Sequence, residues 1–114
     1  MKQLTKILKT LADTNRLRII KLLEKRKLCV CELAFILGIT QPSVSRHLKK
    51  LKSAGLIGDE QKGLWTNYKI NTPAGHYEKT LIRNVNDRLD NDPIIKEDRK
   101  KAAMANRNKL CCKR

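Results

Sequence analysis

The chain has 114 residues, of which 26 are Lys or Arg and 11 are Asp or Glu, for a formal net charge of +15. One domain of this size with so large a positive charge is expected to meet a polyanion, either nucleic acid or an anionic membrane surface. No apolar run approaches the roughly 18 residues that cross a bilayer, and Met1-Lys2-Gln3-Leu4 opens no signal-peptide core, so a cytoplasmic protein with no membrane partner is expected.

Leu4, Ile7, Leu8 and Leu11 make a short amphipathic helix. It is too short to be stable alone and must pack on another element or on a partner subunit. Asp13 caps a second helix running to about Glu24, with Leu17, Ile20 and Leu23 inward. Lys25-Arg26-Lys27 leads into a third helix opened by Cys29-Val30-Cys31. Leu33, Ala34 and Leu37 form its buried side, Gly38 closes it and Ile39 fills the turn. Thr40 is expected to cap a fourth helix, with Pro42 in its first turn.

Val44, Leu48 and Leu51 form the apolar stripe of that fourth helix. At about 100° per residue the opposite face carries Pro42, Ser43, Arg46, Lys49 and Lys50, with Ser45 at its edge. Short polar side chains at the start and cations further on suit a helix entering the major groove, where the first turns meet base edges and the later cations meet phosphate. Gln41, Ser43, Ser45 and Arg46 are therefore the candidates for base and groove contacts, and Lys49 and Lys50 for phosphate. His47, at the margin of the stripe, is a packed or phosphate-contacting residue.

After Ala54-Gly55 the period changes to two. Leu56 to Glu60 leads to a turn at Gln61-Lys62-Gly63, and Leu64, Thr66, Tyr68 and Ile70 then alternate with Trp65, Asn67 and Lys69, which predicts a β-hairpin. A hairpin directly after a groove-entering helix is a wing, with Lys62 at its tip for phosphate or the minor groove. Trp65 is expected against the hairpin base. Tyr77, Leu81, Val85 and Leu89 stripe a terminal helix whose apolar side, like that of the first helix, needs a partner; together they predict a homodimer. Asn91-Asp92-Pro93 separates this domain, residues 1–90, from a basic extension, residues 91–114, expected as a frayed helix or a mobile tail. The fold class is mainly α with a small β-hairpin (α+β), a winged helix-turn-helix.

In a reducing compartment four cysteines point to metal or redox chemistry before structural disulfides. They form two pairs, Cys29/Cys31 and Cys111/Cys112, and neither spacing suits an easy local disulfide or a four-ligand zinc finger. Thiolates select soft ions, and a helix N-terminus with Lys25, Arg26 and Lys27 nearby is expected to lower the thiol pKa values. Residues i and i+2 of an intact helix point roughly 200° apart, so joint ligation by Cys29 and Cys31 would unwind the first turn. Cys111 and Cys112 could complete that site, form another, or be incidental. With no paired carboxylates in an apolar setting, no triad and no phosphate-cradling glycine loop, an enzyme is not expected.

The segments Leu11-Ala12-Asp13-Thr14-Asn15-Arg16-Leu17-Arg18-Ile19, Leu28-Cys29-Val30-Cys31-Glu32-Leu33, Gln41-Pro42-Ser43-Val44-Ser45-Arg46-His47-Leu48 and Gly63-Leu64-Trp65-Thr66-Asn67-Tyr68 resemble the ArsR/SmtB family of metal-responsive repressors. The likeness covers roughly residues 3 to 90. It implies a homodimer that binds a palindromic double-stranded operator and releases it on binding a metal or metalloid. The Cys-Val-Cys step resembles the arsenite and antimonite sensors, implying As(III) or Sb(III) as inducer. Those sensors often carry a third Cys where this chain has Ala34. Cadmium and lead sensors of the family share the two-Cys step, so Cd(II) or Pb(II) is the alternative inducer, and a thiol oxidant is another alternative trigger. A non-specific DNA-binding protein with incidental cysteines is the rival from a different class.

Overall fold

The computed structural model describes residues 1–71, 83–84 and 87–105. Four helices come first: α1 (Lys2–Leu11), α2 (Thr14–Lys25), α3 (Val30–Leu37) and α4 (Gln41–Ser53). An antiparallel hairpin of β1 (Ile57–Lys62) and β2 (Trp65–Ile70) follows, and then α5 (Pro93–Met104). This is the winged helix-turn-helix order read from the sequence. The terminal helix expected over Tyr77 to Leu89 falls largely outside the described residues.

The helix starts are held as their sequences dictate. Asp13, in extended backbone, accepts from Arg16 N at 3.1 Å, and Thr40 accepts from Ser43 N at 3.3 Å with Pro42 in the first turn of α4. Gly38 ends α3 with φ 71°, its N–H donating to Ala34 O at 2.9 Å. That left-handed residue turns the chain sharply into α4, and a side chain there would be strained. Ile19, Ile20 and Leu23 of α2, Leu33 and Ile36 of α3, and Val44, Leu48 and Leu51 of α4 meet in one core with Leu56 and Ile57.

Helix α1 is buried on one side only. Ile7 and Leu11 join the core, while Leu4 and Leu8 stay 42% and 49% exposed. Its inner side is fastened to the end of α4 by Gln3 Nε2 donating to Ala54 O at 3.3 Å and Lys6 Nζ donating to Ser53 Oγ at 2.9 Å.

Three expectations change. The hairpin turns on Gly63 and Leu64, one residue later than read, because Gly63, at φ 59°, supplies the left-handed position of a two-residue loop. Trp65 consequently pairs with Lys62 at the turn end of the hairpin, not at its base. Residues 93–104, expected as a frayed helix or mobile tail, form a capped helix. Asp92 accepts from Ile94 N at 2.8 Å, Pro93 occupies the first turn, and Ile95 and Asp98 are buried as α5 packs on α2 and α3.

Candidate sensor step and nucleic-acid interface

Cys29 is not in α3. It is the residue that caps it, with extended backbone at φ −97° and ψ 171°, while Cys31 lies inside the first turn. The expected divergence of two sulfurs on one intact helix therefore does not apply, since the direction of Cys29 is set by cap geometry. Cys29 N donates to Glu32 Oε1 at 3.0 Å, and the sulfur turns to the Glu32 N–H as the other half of a capping box. Cys29 is 4% exposed and Cys31 is half-buried.

Burial pushes the Cys29 thiol pKa up, and the charge and hydrogen bond of Glu32 add to that; backbone N–H groups of Glu32 and Cys31 pull the other way. The expected lowering by neighbouring cations is thus overturned at Cys29. Two of those cations are engaged elsewhere: Arg26 reaches Glu32 Oε2 at 3.5 Å and Ala102 O at 3.0 Å, and Lys27 pairs with Glu60 at 2.7 Å. Cys31 is disulfide-bonded and Cys29 is not, so the bond does not join these two. Cys111 and Cys112 lie outside the described residues. Among the described residues no three His, Cys, Asp or Glu side chains gather as a metal-holding group.

The two-cysteine step is tied on both sides. Leu28, just before it, exchanges two backbone hydrogen bonds with Tyr68 of β2, at 3.2 and 2.8 Å. On the other side Cys31 Sγ accepts from Gln41 Nε2, on the first residue of α4, at 3.4 Å. Between these ties runs the contact of α3 with α4.

On α4, Gln41, Ser45, Arg46, Lys49 and Lys50 are exposed and Ser43 and His47 half-buried; Lys62 is exposed on the hairpin. Ser43 Oγ is hydrogen-bonded by Thr40 Oγ1 at 3.0 Å and by an Arg46 amino nitrogen at 3.1 Å, so the first turn is held as a unit. Arg16, not singled out from sequence, donates from Nε to His47 Nδ1 at 3.2 Å and from an amino nitrogen to Thr10 O at 3.1 Å. A nitrogen that accepts from guanidinium carries no proton, which leaves the His47 proton on Nε2. Burial lowers the His47 pKa first, with Arg16, Lys50 and Arg46 adding and Asp13 opposing. The i,i+3 pair of Asp13 and Arg16 is visible in the sequence, but the reach of Arg16 to a residue 31 positions on is not.

The pattern of the family described as "Bacterial regulatory protein, arsR family" matches residues 13–58. The arsenic resistance transcriptional regulator ArsR1 of Pseudomonas putida is 37% identical over 82 residues, covering 71% of this chain and 64% of that protein. An arsenical resistance operon repressor of Bacillus subtilis is 47% identical over 64 residues, covering 55% and 61%. The chain thus spans less than two thirds of the length of these curated relatives. Among solved structures, the homodimeric winged helix-turn-helix DNA-binding domain of Mb0332 from Mycobacterium bovis superposes with a TM-score of 0.65 at 30% identity, covering 78% of this chain and 80% of that one.

Proposed function

This chain belongs to the arsR family of bacterial regulatory proteins, and on that premise we propose that it is a transcriptional repressor that binds double-stranded operator DNA as a homodimer and lets go when As(III) or Sb(III) is held by its cysteine thiolates. Gln41, Ser43, Ser45 and Arg46 face base edges; His47, Lys49, Lys50 and Lys62 meet phosphate. The outward Leu4 and Leu8 of α1 supply apolar surface for the second subunit.

One observation carries the sensing half: the Cys29/Cys31 step sits between a residue bonded to the wing and a residue that starts α4. The donor set fits a soft ion, because thiolate sulfur is what such ions select. A bound trivalent metalloid would supply bonds to several thiolates at once. To share it with Cys31, Cys29 must lose a proton that burial favours keeping, and must turn its sulfur away from the Glu32 N–H. Both changes disturb the start of α3 and, through Leu28, the wing. DNA favours the capped arrangement and the ion favours the uncapped one, so each ligand weakens the other.

Cys111 and Cys112, outside the described residues, are the candidates to complete the site, from the same subunit or from the other. Arg26 fastens the end of α5 to Glu32 of the capping box. The test is operator release measured against arsenite, antimonite, cadmium, lead and zinc in reducing buffer. Cys29→Ser and Cys31→Ser are expected to bind operator normally and ignore arsenite; release retained in both would refute the assignment.

A second trigger is favoured by the disulfide at Cys31: oxidation of that thiol in place of ion binding. Thiolate-to-metal ultraviolet absorption separates the two, since an oxidant depletes free thiols and leaves no such band.

A further inference from the structure

The amide of Gln41 stands where sensor and reader touch. Its Nε2 donates to Cys31 Sγ at 3.4 Å across ten residues of sequence. Its backbone opens α4, the helix start held by Thr40 and Ser43, so the side chain can swing while its origin stays fixed. In the major groove a Gln amide reads adenine bidentately, using the same N–H₂ as donor. The amide has two N–H donors, but a bidentate pose commits its plane to the base, so reading adenine means giving up the aim at Cys31 Sγ.

We propose that Gln41 is the coupling residue of this repressor: Cys31 sulfur and an operator base compete for its amide N–H₂, and the state of the sulfur decides the winner. This rests on the sensor assignment above. A neutral sulfur, as thiol or disulfide, is a weak acceptor and yields the amide to DNA. A sulfur bound to a soft ion keeps part of its thiolate charge, and hydrogen bonds to charged acceptors are stronger than neutral ones. Once Cys31 is a ligated thiolate, Gln41 is held to the protein and its base contact is lost. The ion therefore affects operator grip through a single side chain as well as through the cap.

The experiment uses the full reduced chain, its operator and arsenite, at low salt so that phosphate contacts keep every variant bound. Operator affinity with and without arsenite is compared for wild type, Gln41→Ala and Gln41→Met, alongside thiolate-to-arsenic absorption. Arsenite is expected to weaken wild-type operator binding by about tenfold or more, and binding of both variants by about threefold or less, within the usual range of coupling. All three should saturate at the same arsenite concentration. Without arsenite, the variants should also lose about tenfold discrimination at one base pair per half-site. A variant that keeps the wild-type arsenite ratio, or its base discrimination, overturns the proposal while leaving the sensor assignment intact. Wild type that shows neither absorption nor release overturns both.

Discussion

Arg18 and Asp98, eighty residues apart in the chain, are joined by two hydrogen bonds: Arg18 Nε to Oδ2 at 2.8 Å and an amino nitrogen to Oδ1 at 2.9 Å. Asp98 is 1% exposed, so the pair is a bidentate clamp between α2 and α5. Lys21, equally buried, adds ion pairs to Glu24 and Asp90 beside it. Removing Arg18 leaves the buried Asp98 carboxylate out of water without its guanidinium partner. Arg18→Met is therefore expected to cost about 3 kcal/mol of stability in urea unfolding. The double variant Arg18→Met/Asp98→Leu should recover most of it, because an apolar pair of similar volume avoids desolvation. A double variant no better than the single one would show that the clamp is not the source of the loss.

His47 gives the chain an acid-sensitive joint. Its folded pKa lies below the ordinary histidine value because it is partly buried and faces Arg16, Lys50 and Arg46, with Asp13 opposing them. A lowered histidine pKa means that the unfolded chain takes the proton first. Stability is thus full above about pH 6.5, the unfolded value, and falls as pH drops from there toward the folded pKa. Wild type should lose more stability than His47→Gln between pH 7.5 and 5.5 in paired urea titrations. Equal losses would remove His47 from the account.

The stripes of α2 and α4 are legible in the sequence because Ile20 and Leu23, or Val44, Leu48 and Leu51, repeat at helical spacing, and the caps Asp13 and Thr40 are local. The cysteine step is legible as a position but not as an environment. Whether Cys29 is in the helix or caps it depends on Glu32 folding back, a competition between two local patterns. Helix α5 escapes a periodicity reading because its apolar residues are few, and its docking depends on Asp98 finding Arg18. Lys21 offers the one warning, a cation inside the run Ile19 to Leu23 that has to find acidic partners. The contacts of Arg16 with His47 and of Gln41 with Cys31 are tertiary and have no spacing signature.

Glu32 should restrain Cys29 chemically. The cap buries the thiol, and the carboxylate adds to the rise in its pKa. In reduced protein at pH 7.5, Cys29 is expected to alkylate more slowly than half-buried Cys31, as followed by peptide mass spectrometry. Glu32→Gln can still accept from Cys29 N and so preserve the cap, but it removes the charge. Cys29 alkylation should then quicken. An unchanged rate would mean that burial alone sets the reactivity of that thiol.

The cations of the reading face should separate by what they touch. Lys49 on α4 and Lys62 on the hairpin are exposed and long, suited to phosphate, whereas Arg46 is anchored to Ser43 Oγ at 3.1 Å near the start of α4, the part proposed to meet base edges. Releasing one condensed counterion per phosphate contact makes affinity fall with salt. Lys49→Ala and Lys62→Ala should each weaken binding on every sequence alike and flatten the slope of log affinity against log salt by about 1. Arg46→Ala should also relax preference at one base pair, by about 1–3 kcal/mol of discrimination. If Lys62→Ala leaves the slope unchanged, the hairpin tip does not reach the backbone and the footprint is confined to α4. A salt series on operator and scrambled duplexes, read by anisotropy, measures all three variants in one design.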